Sequence, residues 1–359
     1  MNFSIFKNEA FSNTSMTKAL ELYEFQPDLI GSLNIFENVA TDTTIATVER
    51  RDIGLKLIKT SPRGAPLKVG KRIKRNLRNF ETVRIAKSVT LHASEIQNMR
   101  AFGKSDELQT AVNFISLYQN KLVREIEMTW ENMQLGAIKG AVLDADGTVI
   151  YGWFKEWGIP RPKTINFDLD TESTNVEGIC RQIVRTIKRK AGNKYMPNSQ
   201  IIALCGDTFF DKLTSHKMVR ETYLNTTQAQ NLNRAFGVAT ESPAGTGSFA
   251  YFYYGGIFFY NYHSIDDYDE TAKEGTKLAL GVKPNEAHFI PVNVDGVFQK
   301  IFAPGESWSH VNEIGLSLYS TMIHDLDREF WVQPEVFSYP LFICLRPEML
   351  MKGVSVAKK

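Results

Sequence analysis

Three cysteines in 359 residues, Cys180, Cys205 and Cys344, stand far apart with no CxxC pair. Neither a disulfide framework nor a cysteine zinc site is expected, and folding in a reducing compartment is the simpler expectation. No run of 18 apolar residues occurs, so no membrane-spanning helix is expected. The opening stretch MNFSIFKNEAFSNTSMTKAL has no apolar core of the secretory-signal kind. Charge of one sign is missing too: 42 Lys and Arg against 40 Asp and Glu leave a net +2, too little for a global pull on nucleic acid. The six histidines, His92, His216, His263, His288, His310 and His324, are scattered, which points to structural or surface roles for each. No glycine-rich loop ends in the lysine of a phosphate cradle, and PAGTGS (243–248) reads as a turn. No catalytic residue, metal ligand or cofactor is expected.

What is present is an ordinary folded chain, 43% hydrophobic and 23% charged, long enough for one large domain or two to three smaller ones. Residues 1–45 are polar with short apolar islands, LELYEF and LIGSLNIF, and read as an arm. TIATVERRDIGLKL (44–57) and FETVRIAKSVTLH (80–92) alternate apolar and polar residues on either side of SPRGAP (61–66), which predicts an extended hairpin. That hairpin is basic. Arg50, Arg51, Lys56, Lys59, Arg63, Lys68, Lys71, Arg72, Lys74, Arg75, Arg78, Arg84 and Lys87 face only Asp52 and Glu81. Three readings stay open: a solvated edge protected by its charge, a nucleic-acid surface that lacks aromatic residues for stacking, and an arm that docks on an acidic surface of another subunit.

Leu108, Val112, Ile115, Leu122, Ile126, Trp130, Met133 and Ala137 recur at helical spacing after a capping Ser105 or Asp106. A helix from Asp106 to about Lys139 is ~50 Å long at about 1.5 Å per residue. Its steps hold no strict heptad, so it is expected to be a spine laid across a domain. TESTNVEGICRQIVRTIKRKAGN predicts a second helix, with Thr174 and Glu177 as a capping box, Lys188, Arg189 and Lys190 at the negative end of its dipole, and Gly192 as its stop. IIALCGD predicts a buried strand with Asp207 capping the next helix. SFAYFYYGGIFFYNY (248–262) predicts a hairpin around Gly255-Gly256, and the tail is strand-like and broken by prolines.

AVLDADGTVIYGW (141–153) resembles the nucleophile loop of haloacid-dehalogenase phosphatases, with Asp144, Asp146 and a downstream Asp266-Asp267 in the places that chemistry needs. Such a loop ends a buried parallel strand and leads into a helix. Here a long helix precedes it and the strand-like TVIYGWF follows, so the spacing favours a hairpin with a two-residue type I′ turn at Asp146-Gly147.

The order of parts resembles the tailed-phage major capsid protein E family, of the lambda-type major head proteins. The residues that carry the likeness are LIGSLNIFENVATDTT (29–44), KTSPRGAP (59–66), KRNLRNF (74–80), ASEIQNMRAFGK (93–104), IIALCGDTFFDKLTSHKMVR (201–220), NEAHFIPV (285–292), IFAPGES (301–307) and REFWVQPEVFSYPLFICLRPEML (328–350). The resemblance implies an α+β Hong Kong 97-type capsid fold. It divides the chain into an N-terminal arm (1–45), an extended loop (46–100), a peripheral domain with spine helix and hairpin (101–170), an axial domain (171–325) and a C-terminal strand returning to the peripheral domain (326–359). It implies a structural, non-enzymatic role in the virion, after assembly in the host cytoplasm. Its partners are then further copies in hexamers and pentamers, a portal, a scaffold or protease, decoration proteins, and packaged double-stranded DNA held by weak non-specific contact. The expected inter-subunit contacts are Arg50, Arg51, Arg63, Lys71, Arg72, Lys74, Arg75 and Arg78, with acidic partners on a neighbouring spine at Glu125, Glu127 and Glu131. A DNA-binding protein using segment 50–87 is the alternative, and a phosphatase a remote third.

Overall fold

The computed structural model describes residues 29–51, 75–97, 107–224, 251–262 and 281–356. The greater part of the arm, the loop tip with Arg63, Lys71, Arg72 and Lys74, the expected cap at Ser105 or Asp106, the PAGTGS turn, His263 and Asp266-Asp267 lie outside them.

The predicted spine is a single helix, Glu107–Lys139. Ile115, Leu122, Ile126, Trp130, Met133 and Ala137 are all buried along it. Burial of that stripe, more than propensity, stabilises so long a helix. It packs on two sheets. A three-stranded sheet sets Glu37–Ala40 parallel to Phe298–Phe302, which runs antiparallel to Pro340–Cys344. A four-stranded sheet is built around Trp331–Ser338, flanked by Tyr319–His324 on one edge and by Ile85–Ser88 and Leu91–His92 on the other.

A six-stranded mixed sheet forms the other half, in the order Tyr251–Tyr254, Ile257–Asn261, Gln200–Cys205, Glu286–Val292, Met351–Val354, Ile165–Asn166. It is buried on both faces, and the period-two alternation of its central strands sorts their side chains between two cores. Ile202, Leu204, Ile290 and Val292 join the core around the spine. Ile201, Ala203, Cys205, Ala287 and Phe289 join the core under the helices Val176–Ala191 and Asp207–Ser215. One sheet therefore ties both cores together, in an α+β arrangement. The hairpin at its edge turns at Gly255 and Gly256, whose φ angles of 58° and 87° only glycine adopts at low cost. A Cβ on Gly255 would also stand 2.5 Å from the Cβ of Cys180.

Four expectations shift. The strand that pairs with Ile45–Arg51 is Arg75–Glu81, in antiparallel register from Ile45 opposite Glu81 to Arg51 opposite Arg75. Residues 85–92 also alternate, but they pair with Trp331–Ser338 instead, a non-local choice that alternation cannot specify. The second helix is capped by Asn175, whose Oδ1 accepts from Gly178 N at 2.8 Å, while Thr174 donates its hydroxyl to Asp168 O. Its helical stop at Gly192 stands where expected, at φ 59°. Gly206, not Asp207, is the cap of the following helix. The C-terminal segment divides between the halves: Trp331–Ser338 and Pro340–Cys344 join the spine's sheets, and Met351–Val354 joins the six-stranded sheet.

Candidate subunit-contact surfaces

The loop between Ala141–Leu143 and Val149–Gly152 is a hairpin turn with no catalytic geometry. Gly147 N donates to Asp144 O at 3.0 Å and Asp144 N to Thr148 O at 2.9 Å. Among these residues only Gly147 has a positive φ, 85°. This is a three-residue loop with a glycine bulge, one of the common hairpin closures, and the expected two-residue type I′ turn is not formed. Asp146 Oδ1 accepts from both the amide (2.8 Å) and the hydroxyl (2.7 Å) of Thr148, and those two bonds lower its pKa. Among the described residues the flanking strands form a sheet of two, with no parallel neighbour and no helix entered from the loop. The aspartates that resemble a nucleophile and its acid therefore serve a turn.

The basic hairpin is anchored by its base. Ala46, Val48 and Phe80 are buried on one face. Phe80 meets Tyr151, Trp153 and Trp157 edge-on at 5.3 to 5.9 Å. Arg50, expected at a subunit boundary, is committed to its own chain. Its guanidinium pairs with Glu348 at 2.9 Å and lies over Trp157, with its side chain 12% exposed. Arg78 is freer, 46% exposed, with a 3.5 Å contact to Glu156. Arg51 and Arg75 are register partners at the last described pair of the ladder.

The acidic side of the expected contact is rearranged as well. Glu131 is 4% exposed and serves as an internal strut, accepting from Ile30 N at 3.3 Å and from Tyr262 OH at 2.8 Å. It does not present a carboxylate to a neighbour, because its helical position faces the core between the segment at 30 and the six-stranded sheet. Glu125 does lie at the surface and pairs with Lys87 at 2.8 Å. Glu127 is half-buried one turn before Glu131 and lines a cavity of about 280 Å³ beside Phe36, Trp130 and Lys300.

Two features escaped the sequence reading. At the spine's C-terminus Lys139, Glu286, His288 and Lys352 come together. Lys352 Nζ stands 2.7 Å from Glu286 and His288 Nε2 3.7 Å. His288 and Lys352 hold the Glu286 carboxyl down at about 2, and burial pushes Lys139 down to about 8. The second is the loop 304–316, which presents Trp308 at 95% exposure with Val311 and Ile314 also exposed. A tryptophan in an otherwise polar stretch, GESWSHVNEIG, was the only signal available. Among the described residues no three His, Cys, Asp or Glu side chains form a metal cluster, and no helix is long and apolar enough to cross a membrane.

A family model described as phage major capsid protein E matches residues 12–355. The chain is 28% identical over 285 residues to a major capsid protein of Salmonella phage Felix O1 (isolate Felix O1-VT1), with 74% of each chain covered. It is 27% identical over 356 residues to the major capsid protein of Pseudomonas phage KPP10, with 96% of each covered. Among solved structures it is similar to a protein described as a prophage capsid protein from E. coli CFT073. That likeness, at 13% identity, covers 79% of this chain and 80% of the other with a TM-score of 0.52, and bears on the fold alone.

Proposed function

The chain belongs to the phage major capsid protein E family, which makes it a structural protein of a phage head, and we propose that its copies close into hexamers and pentamers tiling an icosahedral shell around DNA. The observation that carries this is the match over residues 12–355, nearly the whole chain. The architecture suits the role. A shell needs head-to-tail contacts that close into rings, and a basic hairpin pinned at its base by Arg50 and Phe80 is a limb fixed at one end.

The finer assignments follow that reading. The hairpin is the extended loop, the spine helix with its sheets the peripheral domain, and the six-stranded sheet with its helices the core of the axial domain, which the C-terminal strand Met351–Val354 completes. Arg51, Arg63, Lys71, Arg72, Lys74, Arg75 and Arg78 contact a neighbouring copy, where Glu125 and Glu127 remain the acidic partners on the spine. Arg50 and Glu131 leave that set, because both are engaged within their own subunit and also withdrawn from solvent, whereas Arg78 and Glu125, though paired within the chain, keep exposed surface. A portal, a scaffold or protease and decoration proteins are the further partners, assembly proceeds in the host cytoplasm, and packaged DNA touches the shell weakly.

Electron microscopy of the expressed protein tests the reading. Shells, rings or tubes are expected, and dispersed 40.7 kDa monomers would refute it. A magnesium-supplemented phosphatase assay on the parent and on Asp144→Asn is expected to show no activity in either.

A further inference from the structure

The charged cluster at the spine's C-terminus is assembled by strand register. Glu286 and His288 stand two apart on Glu286–Val292 and so share a face, and Lys352 on Met351–Val354 is the register partner of His288. Lys139, the last residue of the spine, joins them and donates its ammonium to Gly281 O. Arg161 adds a cation at the same helix end, its guanidinium donating to Lys139 O. Lys283 is exposed just before the strand, and its charge also acts on Lys139. Among the described residues Glu286 is the one carboxylate that answers this group. It is taken up by Lys352 at 2.7 Å. His288 Nε2 stands 3.7 Å from it, beyond hydrogen-bond reach, and that buried nitrogen has no hydrogen-bond partner. The seam between spine and sheet therefore carries an excess of positive charge before His288 takes a proton, in a place where salt screens poorly.

Every titration in such a seam has the same sign. Burial lowers the His288 pKa from its ordinary 6.5, and Lys139 and Lys352 add to that against the pull of Glu286. Burial brings Lys139 from 10.5 to about 8, and His288 with Lys352 brings Glu286 from 4.5 to about 2. A group held below its ordinary pKa binds its proton more weakly in the closed form than in an opened one, so each costs the closed form stability as pH falls. Lys139 does so between 10.5 and about 8, His288 below 6.5, and Glu286 between 4.5 and about 2. The His288 step is the one that falls in mildly acid solution.

We infer that the seam between the spine's C-terminus and the strand Glu286–Val292 is an acid-opened joint inside the subunit, with His288 as its trigger. On protonation the imidazolium adds a charge among the lysines that Glu286 does not balance, and the spine end parts locally from the strand until water reaches the ring. The joint belongs to the single subunit, so its test is independent of how copies assemble. Hydrogen exchange of the full-length chain, read by mass spectrometry and corrected for the intrinsic pH dependence of amide exchange, follows the opening. Between about pH 7.5 and 5.5, protection over residues 134–140 and 282–292 should fall severalfold, up to about tenfold, the factor by which an opened ring of ordinary pKa gains its proton over that range. Protection of the helix Val176–Ala191, which lies in the other core, should stay level. His288→Gln and His288→Leu, one polar and one apolar, both remove the titration, and either should hold the seam's protection level across the same range. Seam protection in the parent that does not change between these pH values overturns the joint. A folded His288→Gln or His288→Leu chain that loses protection as the parent does overturns it as well.

Discussion

Glu131 shows what a single buried carboxylate does in this chain. It sits on the spine and accepts from a backbone amide 101 residues before it and a phenol 131 residues after it. Removing the acceptor strands two buried donors, which costs roughly 1–3 kcal/mol for each unsatisfied group. Glu131→Ala is therefore expected to lower the unfolding free energy by several kcal/mol in urea titration. Glu131→Gln keeps an acceptor oxygen and should lose much less. Equal losses for both would mean that the charge, and not the hydrogen bonds, is what matters. The Glu286 cluster makes a prediction with a sign. A carboxyl that titrates at about 2 in the folded chain and at its ordinary 4.5 when unfolded stabilises fully above 4.5, and that contribution fades as pH falls from 4.5 through 2. Lys352→Met removes the nearer cation, so the acid-side loss of stability should shrink relative to the parent over that window.

At the scale of elements, local signals were legible and pairings were not. The spine's stripe, the stop at Gly192 and the turn at Gly255-Gly256 each depend on neighbours within a few residues, and the structure keeps all three. The partner of Ile45–Arg51 and the split of the C-terminal segment between two sheets depend on contacts far apart in sequence, where several alternating stretches compete for the same edges. Arg50 and Glu131 looked like surface charges for the same reason. Nothing near Arg50 in sequence announces Glu348, 298 residues away. The helix cap was misplaced by one residue because Thr174 and Asn175 are both good caps; only the bond from Gly178 N decides. Asn175→Ala should cost about 1 kcal/mol, the ordinary worth of such a cap. Thr174→Ala should cost less helix stability, since its hydroxyl serves Asp168 O. Paired thermal melts of the two variants would rank them.

For the whole molecule the question is how weak contacts sum to a shell, and contacts made by the basic hairpin should respond to salt. An exposed Arg–carboxylate pair is worth roughly 1 kcal/mol or less, and at about 0.15 M ionic strength such charges are screened beyond about 8 Å. Repetition makes the difference: each copy held by several neighbours dissociates only when many contacts open together. Arg72→Glu combined with Arg75→Glu changes the charge of the basic segment by four units. The monomer should keep its parent melting temperature, while assembly, read by light scattering, should fall most steeply at low salt, where the repulsion is unscreened. Raising the salt should restore part of that loss. If the charge-reversed chain assembles like its parent at every ionic strength, the basic hairpin is not a subunit contact, and its charge is left with the edge-protecting role that an exposed hairpin needs in any protein.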